Sequence, residues 1–214
     1  IIHADEETYH ERLGRMIDKL SRVAEERQKF LADAGVNTMY EYNAAHPQAP
    51  FPVLLMVIDN FAALGENHEG LVENTLVPLI RRSQAVGIAF VVSAGGGVVS
   101  KVASLFGERV TFRQTNTDRY LDLVGRGAIE FGNVPGRGYI RIDQRPLLFQ
   151  AARPVGSLEA NVAGDALAET ADLQRMAANM REQAAGLQLR TQPDPISTLP
   201  EIVPLLALLE GAAA

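Results

Sequence analysis

The chain has no cysteine and no tryptophan, and only three of its twenty basic residues are lysine (Lys19, Lys29 and Lys101). Without cysteine there is no disulfide scaffold, no thiol nucleophile and no thiolate zinc site. The four histidines, His3, His10, His46 and His68, lie in charged or loop settings with no pair at metal-ligand spacing, which argues against zinc. No apolar run nears the ~18 residues needed to cross a bilayer. The opening Ile1-Ile2-His3-Ala4-Asp5-Glu6-Glu7 lacks the basic end and apolar core of a signal peptide. No lysine follows a glycine, so the phosphate-loop pattern G-x-x-x-x-G-K-[ST] is absent, and so is the hydrolase elbow G-x-S-x-G.

What remains is ample for a globular fold. The 214 residues are 47% hydrophobic and 21% charged, enough for one packed domain, or one with an appendage. A net charge of −6 argues against nonspecific coating of nucleic acid while leaving a local basic groove open. The other seventeen cations are arginine, which suits bidentate and interface pairing, although a GC-rich coding sequence yields the same bias.

Periodicity predicts a long helix from about Asp5 to Ala34. Its apolar stripe, Leu13, Met16, Ile17, Leu20, Val23, Phe30 and Leu31, is broken only by Arg27, and Gly35 supplies a stop. A short helix over Thr38–Ala45 precedes Pro47, Pro50 and Pro52. The unbroken run Val53–Ile58 then predicts a strand buried on both faces, as in a parallel sheet. A helix over residues 71–86, with Leu71, Leu76, Leu79 and Ile80 inward, leads to a second such strand, Ile88–Val92. Further on, a helix over Val99–Phe106, a strand at Arg109–Arg113, a helix at Thr117–Leu123 and an antiparallel pair (Tyr139–Ile142 with Pro146–Ala152) are expected. Residues 157–187 read as a helix with a weak stripe of Leu158, Val162, Leu167, Leu173, Met176 and Met180. Residues 191–195 read as a linker and Ile196–Leu209 as an apolar tail. The alternation gives an α/β class with a mainly parallel sheet flanked by helices. The division is residues 1–153 for the α/β core and 154–214 for a helical extension and linker.

Chemistry concentrates where the two apolar strands end. Ligands of open parallel sheets sit at the carboxyl ends of strands, and there the first strand carries Asp59 and the second Ser93. Asp59 suits a magnesium ligand beside a nucleotide, or equally a turn former or helix cap. The Ser93 hydroxyl suits a γ-phosphate or water sensor, or a cap on the next turn. Arg81 and Arg82, near the end of the intervening helix, read either as a solvated face offsetting the helix dipole or as arginines presented to a neighbouring subunit's nucleotide. The G-R-G triplets at 125–127 and 136–138 read as turns.

In order and spacing these segments resemble the FtsK/SpoIIIE family of hexameric motor ATPases, over roughly residues 10–200. The resemblance runs through FLADAGVNTMYEYNAA, FPVLLMVIDNFAAL, RRSQAVGIAFVVSA and LVGRGAIEFGNVPGRGYIRI. It ends at LPEIVPLLALL, which is similar to the linker between motor domains of tandem members such as type VII secretion ATPases. It implies a RecA-like P-loop NTPase core, present in part, with the Walker A half preceding residue 1. It also implies Asp59 as the Walker B metal ligand of an ATP·Mg²⁺ site in the intact parent. Active members carry Asp-Glu where this chain has Asp59-Asn60, and Gln84 stands where some carry an arginine, which weakens Arg81 and Arg82 as trans-acting groups. The isolated chain is thus expected to hold no nucleotide and to hydrolyse nothing. Its parent is expected to translocate DNA or secreted protein in the cytoplasm, at the membrane face through regions outside this chain. An alternative is a noncatalytic module that docks sister motor domains, a partner or itself. A stand-alone enzyme built on Asp59 lacks a second carboxylate at a compelling spacing, and no autonomous nucleic-acid binding is expected.

Overall fold

The structure is a computed structural model describing residues 2–95, 100–152, 166–187 and 195–198. The chain divides into two compact units, residues 1–98 with 193–214, and residues 99–192.

In the first unit, α1 (Tyr9–Asp33) buries Leu13, Ile17, Ala24 and Leu31 along one stripe. Each large apolar side chain so removed from water contributes about 1.5–3 kcal/mol. The helix ends where Gly35 adopts φ 71° and Val36 N–H turns back to the Leu31 carbonyl at 3.0 Å, the stop expected of glycine. A capping box opens α2 (Met39–Ala45): the Thr38 side chain accepts from Glu41 N–H while the Glu41 carboxylate accepts from Thr38 N–H.

Strands β1 (Leu54–Ile58) and β2 (Ile88–Val92) pair in parallel, in register from Leu54 opposite Ile88 to Ile58 opposite Val92. Between them run α3 (Phe61–Asn67), α4 (Glu69–Leu71), a π-helical turn (Val72–Leu76) and α5 (Val77–Ser83). The wider turn precedes Pro78, which has no N–H and whose ring crowds the carbonyl one turn back. Val77 N–H bonds instead to the Val72 carbonyl five residues earlier, and the helix continues. Ala24 and Leu31 of α1, Leu79 of α5, Val86 and Ile88 form the core of this unit.

The expectation that both strands are buried on both faces is corrected. Met56 and Ile58 point into the core, but Leu55 and Val57 are 62% and 65% exposed, and Val53 and Val91 are exposed beside them. Side chains alternate across a strand, so a single layer of helix covers only every second residue. Among the described residues, that layer is all there is.

The second unit holds α6 (Ser100–Ala103), β3 (Arg109–Phe112), α7 (Thr117–Val124), β4 (Arg137–Ile142) and β5 (Arg145–Gln150). The three strands form an antiparallel sheet in the order β3-β4-β5, so parallel pairing among the described residues is confined to β1 and β2. Positive φ at Asp143 and Gln144 makes the tight β4–β5 turn, which matches strand twist. Tyr120, fully buried, anchors this unit with Val124, Ala128 and Tyr139. Its hydroxyl accepts from Gln114 N–H at 2.8 Å. The long helix α8 (Ala166–Gly186) leaves Leu173, Met176 and Met180 exposed. Leu158, Val162 and the expected linker at 191–194 lie outside the described residues, as does the apolar tail beyond 198. None of the described helices is long and apolar enough to cross a membrane.

Candidate functional site

Because β1 and β2 are in exact parallel register, their carboxyl ends finish level, and Asp59 and Ser93 leave the sheet side by side. Three further bonds tie the two ends together. Ser93 N–H donates to the Ile58 carbonyl at 2.9 Å and Phe61 N–H to the Ser93 carbonyl at 2.8 Å, while Asn60 N–H donates to Ser93 Oγ at 3.1 Å. The Ser93 hydroxyl then donates to Asp59 Oδ1. Asn60 takes a left-handed conformation, φ 54° and ψ 57°, and leads into α3 without a side-chain cap. Asparagine is among the few residues that adopt this conformation at low cost.

The structure therefore brings Asp59, Asn60 and Ser93 together at one exposed sheet edge. Of the two roles weighed for Ser93, the hydroxyl is spent on structure here, yet it braces the turn after β1 rather than its own. Hydroxyl and carboxylate oxygens of this kind are what magnesium takes, usually with one or two carboxylates plus substrate phosphates. Asp59 fits as one such ligand, and no group of three or more acids or histidines able to hold a metal exists among the described residues.

Arg81 and Arg82 are placed elsewhere. They occupy the last turn of α5, which feeds the amino end of β2, and five strand residues at about 3.3 Å each separate that end from Ser93 by roughly 16 Å. Arg82 pairs with Glu25 of α1 at 3.3 Å, and Arg81 is exposed. Within one chain neither reaches Asp59.

Two features escaped the sequence reading. Arg27, only 9% exposed, reaches across the core of the first unit to donate to the Val86 and Gly87 carbonyls at 3.0 and 3.1 Å, with its guanidinium 5.3 Å from the centre of the Phe51 ring. Burial pushes its pKa down. A polar groove of about 510 Å³ also runs beside α1, lined by Arg15, Lys19, Arg22, Asp18 and Glu26 together with Pro195–Ser197. There Arg12 donates to the Ile196 carbonyl at 3.1 Å and Arg15 to that of Ser197. Carbonyl recognition leaves no residue-type signature, so nothing in the pattern of side chains announced it.

Solved structures of ATPase domains share this fold. EssC (ATPases 2 and 3) from Geobacillus thermodenitrificans superposes with a TM-score of 0.72 at 21% identity, covering 97% of this chain and 37% of that one. The cytoplasmic domain of the Thermomonospora curvata type VII secretion ATPase EccC gives a TM-score of 0.60 at 22% identity, over 89% of this chain and 21% of that one. No protein-family model matches the chain.

In sequence, the ESX-5 secretion system protein EccC5 of Mycobacterium tuberculosis is 29% identical over a match covering 69% of this chain. The chain is thus related to the EccC and EssC type VII secretion ATPases, which are FtsK/SpoIIIE-like. It spans 12% of the length of the curated relatives it matches.

Proposed function

We propose that this chain is part of one motor domain of an FtsK/SpoIIIE-like, ATP-driven translocase, and that the 214 residues hydrolyse nothing by themselves. The observation that carries this reading is the braced pair Asp59 and Ser93 at the carboxyl ends of parallel β1 and β2, followed by Asn60 rather than a glutamate. An amide there cannot take a proton from an attacking water, whereas a carboxylate at Asp59 is a suitable magnesium ligand. The β- and γ-phosphates need a backbone cradle, and its sequence pattern is absent from these residues. ATP and Mg²⁺ accordingly belong to the intact parent, a hexamer of sister motor domains in the cytoplasm, tethered at the membrane face through other regions. The relatives' part in type VII secretion favours a secreted protein over DNA as the cargo.

Titration of a fluorescent ATP analogue with Mg²⁺ into the chain and into Asp59→Ala tests this. The expected result is no saturable binding in either at about millimolar nucleotide. Saturable binding lost in the variant would overturn the reading of an incomplete site, and measurable ATPase activity of the chain would overturn its inactivity.

A second reading, a noncatalytic docking module, is favoured by the exposed apolar face of Val53, Leu55, Val57 and Val91. It expects self-association that Leu55→Lys with Val57→Lys abolishes in sedimentation velocity. A strict monomer at high concentration refutes it.

A further inference from the structure

Two histidines far apart in sequence meet in the first unit. His10, in the first turn of α1, and His68, at the end of α3, lie edge to face with ring centres 4.9 Å apart. Tyr9 leans on both, at 5.3 Å from His10 and 5.7 Å from His68. The His68 backbone is already committed, since its N–H bonds to the Leu64 carbonyl and its carbonyl accepts from Val72 N–H. Its ring nitrogen Nε2 is shielded from solvent and has no hydrogen-bond partner. A buried imidazole nitrogen without a hydrogen-bond partner costs about 1–3 kcal/mol, so a component that engages it is favoured there.

The spacing says what that component can be. Two imidazoles bound to one ion through nitrogens at about 2.1 Å place their ring centres roughly 5 Å apart at tetrahedral angles. A paired imidazole site suits zinc, nickel, cobalt or copper rather than magnesium or calcium, which prefer oxygen. Tyr9, packed against both rings, forms a wall of the site. Among the described residues no third histidine or acid joins the pair, and water can fill the remaining positions of an ion held there.

We propose that His10 and His68 form a binding site for a divalent transition ion of the zinc class, completed by water. The ion staples the start of α1 to the joint between α3 and α4. The chemistry is independent of the nucleotide reading, because the two rings touch none of Asp59, Asn60 and Ser93.

Cobalt is the probe, because its visible absorption reports coordination directly. Co²⁺ titrated into the full 214-residue chain should give a saturable response at one ion per chain, displaced by Zn²⁺. His10→Ala, at an exposed position that leaves the core untouched, should weaken the half-saturation point by about tenfold or more, and His68→Gln should do the same. His3→Ala and His46→Ala serve as controls and should match the parent. Zinc should also shift the ring proton resonances of His10 and His68 together. No saturable response up to about millimolar metal, full response in His10→Ala, or equal losses in the His3 and His46 variants would each overturn the site.

Discussion

Arg27 offers the sharpest test of how the first unit is held together. Its replacement by alanine removes two charge-assisted hydrogen bonds and a ring contact from a site only 9% exposed. The two carbonyls do not suffer equally. Gly87 still accepts from Leu54 N–H at 3.0 Å, whereas Val86 loses its described partner and contributes a desolvation cost of about 1–3 kcal/mol. The Phe51 contact adds about 1 kcal/mol and the lost aliphatic stem about as much again. Arg27→Ala should therefore destabilise the unit by about 3–5 kcal/mol. Arg27→Met keeps the stem and should cost about 2–4 kcal/mol, about 1 kcal/mol less than alanine, and the combination with Phe51→Ala should reveal a coupling of about 1 kcal/mol.

Urea unfolding followed by far-ultraviolet dichroism and tyrosine fluorescence would read these values from midpoints at constant slope. The pH dependence has a definite sign. Burial depresses the folded-state pKa of this base, which favours its neutral form in the fold, so that contribution changes only as pH rises through the lowered value. Arginine titrates far above neutrality, so the loss should be flat from about pH 6 to pH 9. A loss below about 0.5 kcal/mol for Arg27→Ala, or a methionine variant as stable as the parent, would refute the assignment of its hydrogen bonds as the dominant contribution.

Three shorter predictions follow from the packing. Gly87→Ala should cost about 3 kcal/mol, because φ is 73° and the new methyl overlaps the Met39 sulfur, while Gly35→Ala, at φ 71° but in open space, should cost only about 1 kcal/mol; paired thermal melts separate the two. Tyr120→Phe should cost about 1–2 kcal/mol by orphaning Gln114 N–H, and hydrogen exchange should show the loss in the second unit while leaving α1 protected. Thr38→Ala should cost about 1 kcal/mol through the lost capping box, measured by urea midpoint, with Thr38→Ser restoring most of it.

The sequence reading succeeded wherever a local signal matched a local cause. The unbroken apolar run at Val53–Ile58 gave a strand, Gly35 a helix stop, and the strand ends Asp59 and Ser93 a shared edge. It failed where the cause lay far along the chain. The apolar run reports side-chain character but not how many layers cover it, so Leu55 and Val57 were expected inside. Pro78 was visible in the sequence, but the helical stripe tolerates a proline near a turn and so hid the π-helical register. Arg27 fell on the buried stripe, yet its partners stand 59 and 60 residues away, and no spacing rule connects them. The meeting of His10 and His68 is of the same kind, since sequence spacing excludes a ligand pair that only folding assembles.

The backbone at Asn60 has an evolutionary consequence. A glutamate there would carry a left-handed conformation at about 1–2 kcal/mol and would sit in a turn that Ser93 already holds in place. For a lineage in which this amide replaced a glutamate, the change works as a ratchet. The turn that tolerates Asn60 penalises the return through that backbone strain, while the Ser93 brace, made to the backbone N–H of residue 60, stays the same whichever side chain stands there. At this edge asparagine, aspartate and glycine carry the left-handed turn at less cost than the glutamate that the family resemblance links to hydrolysis.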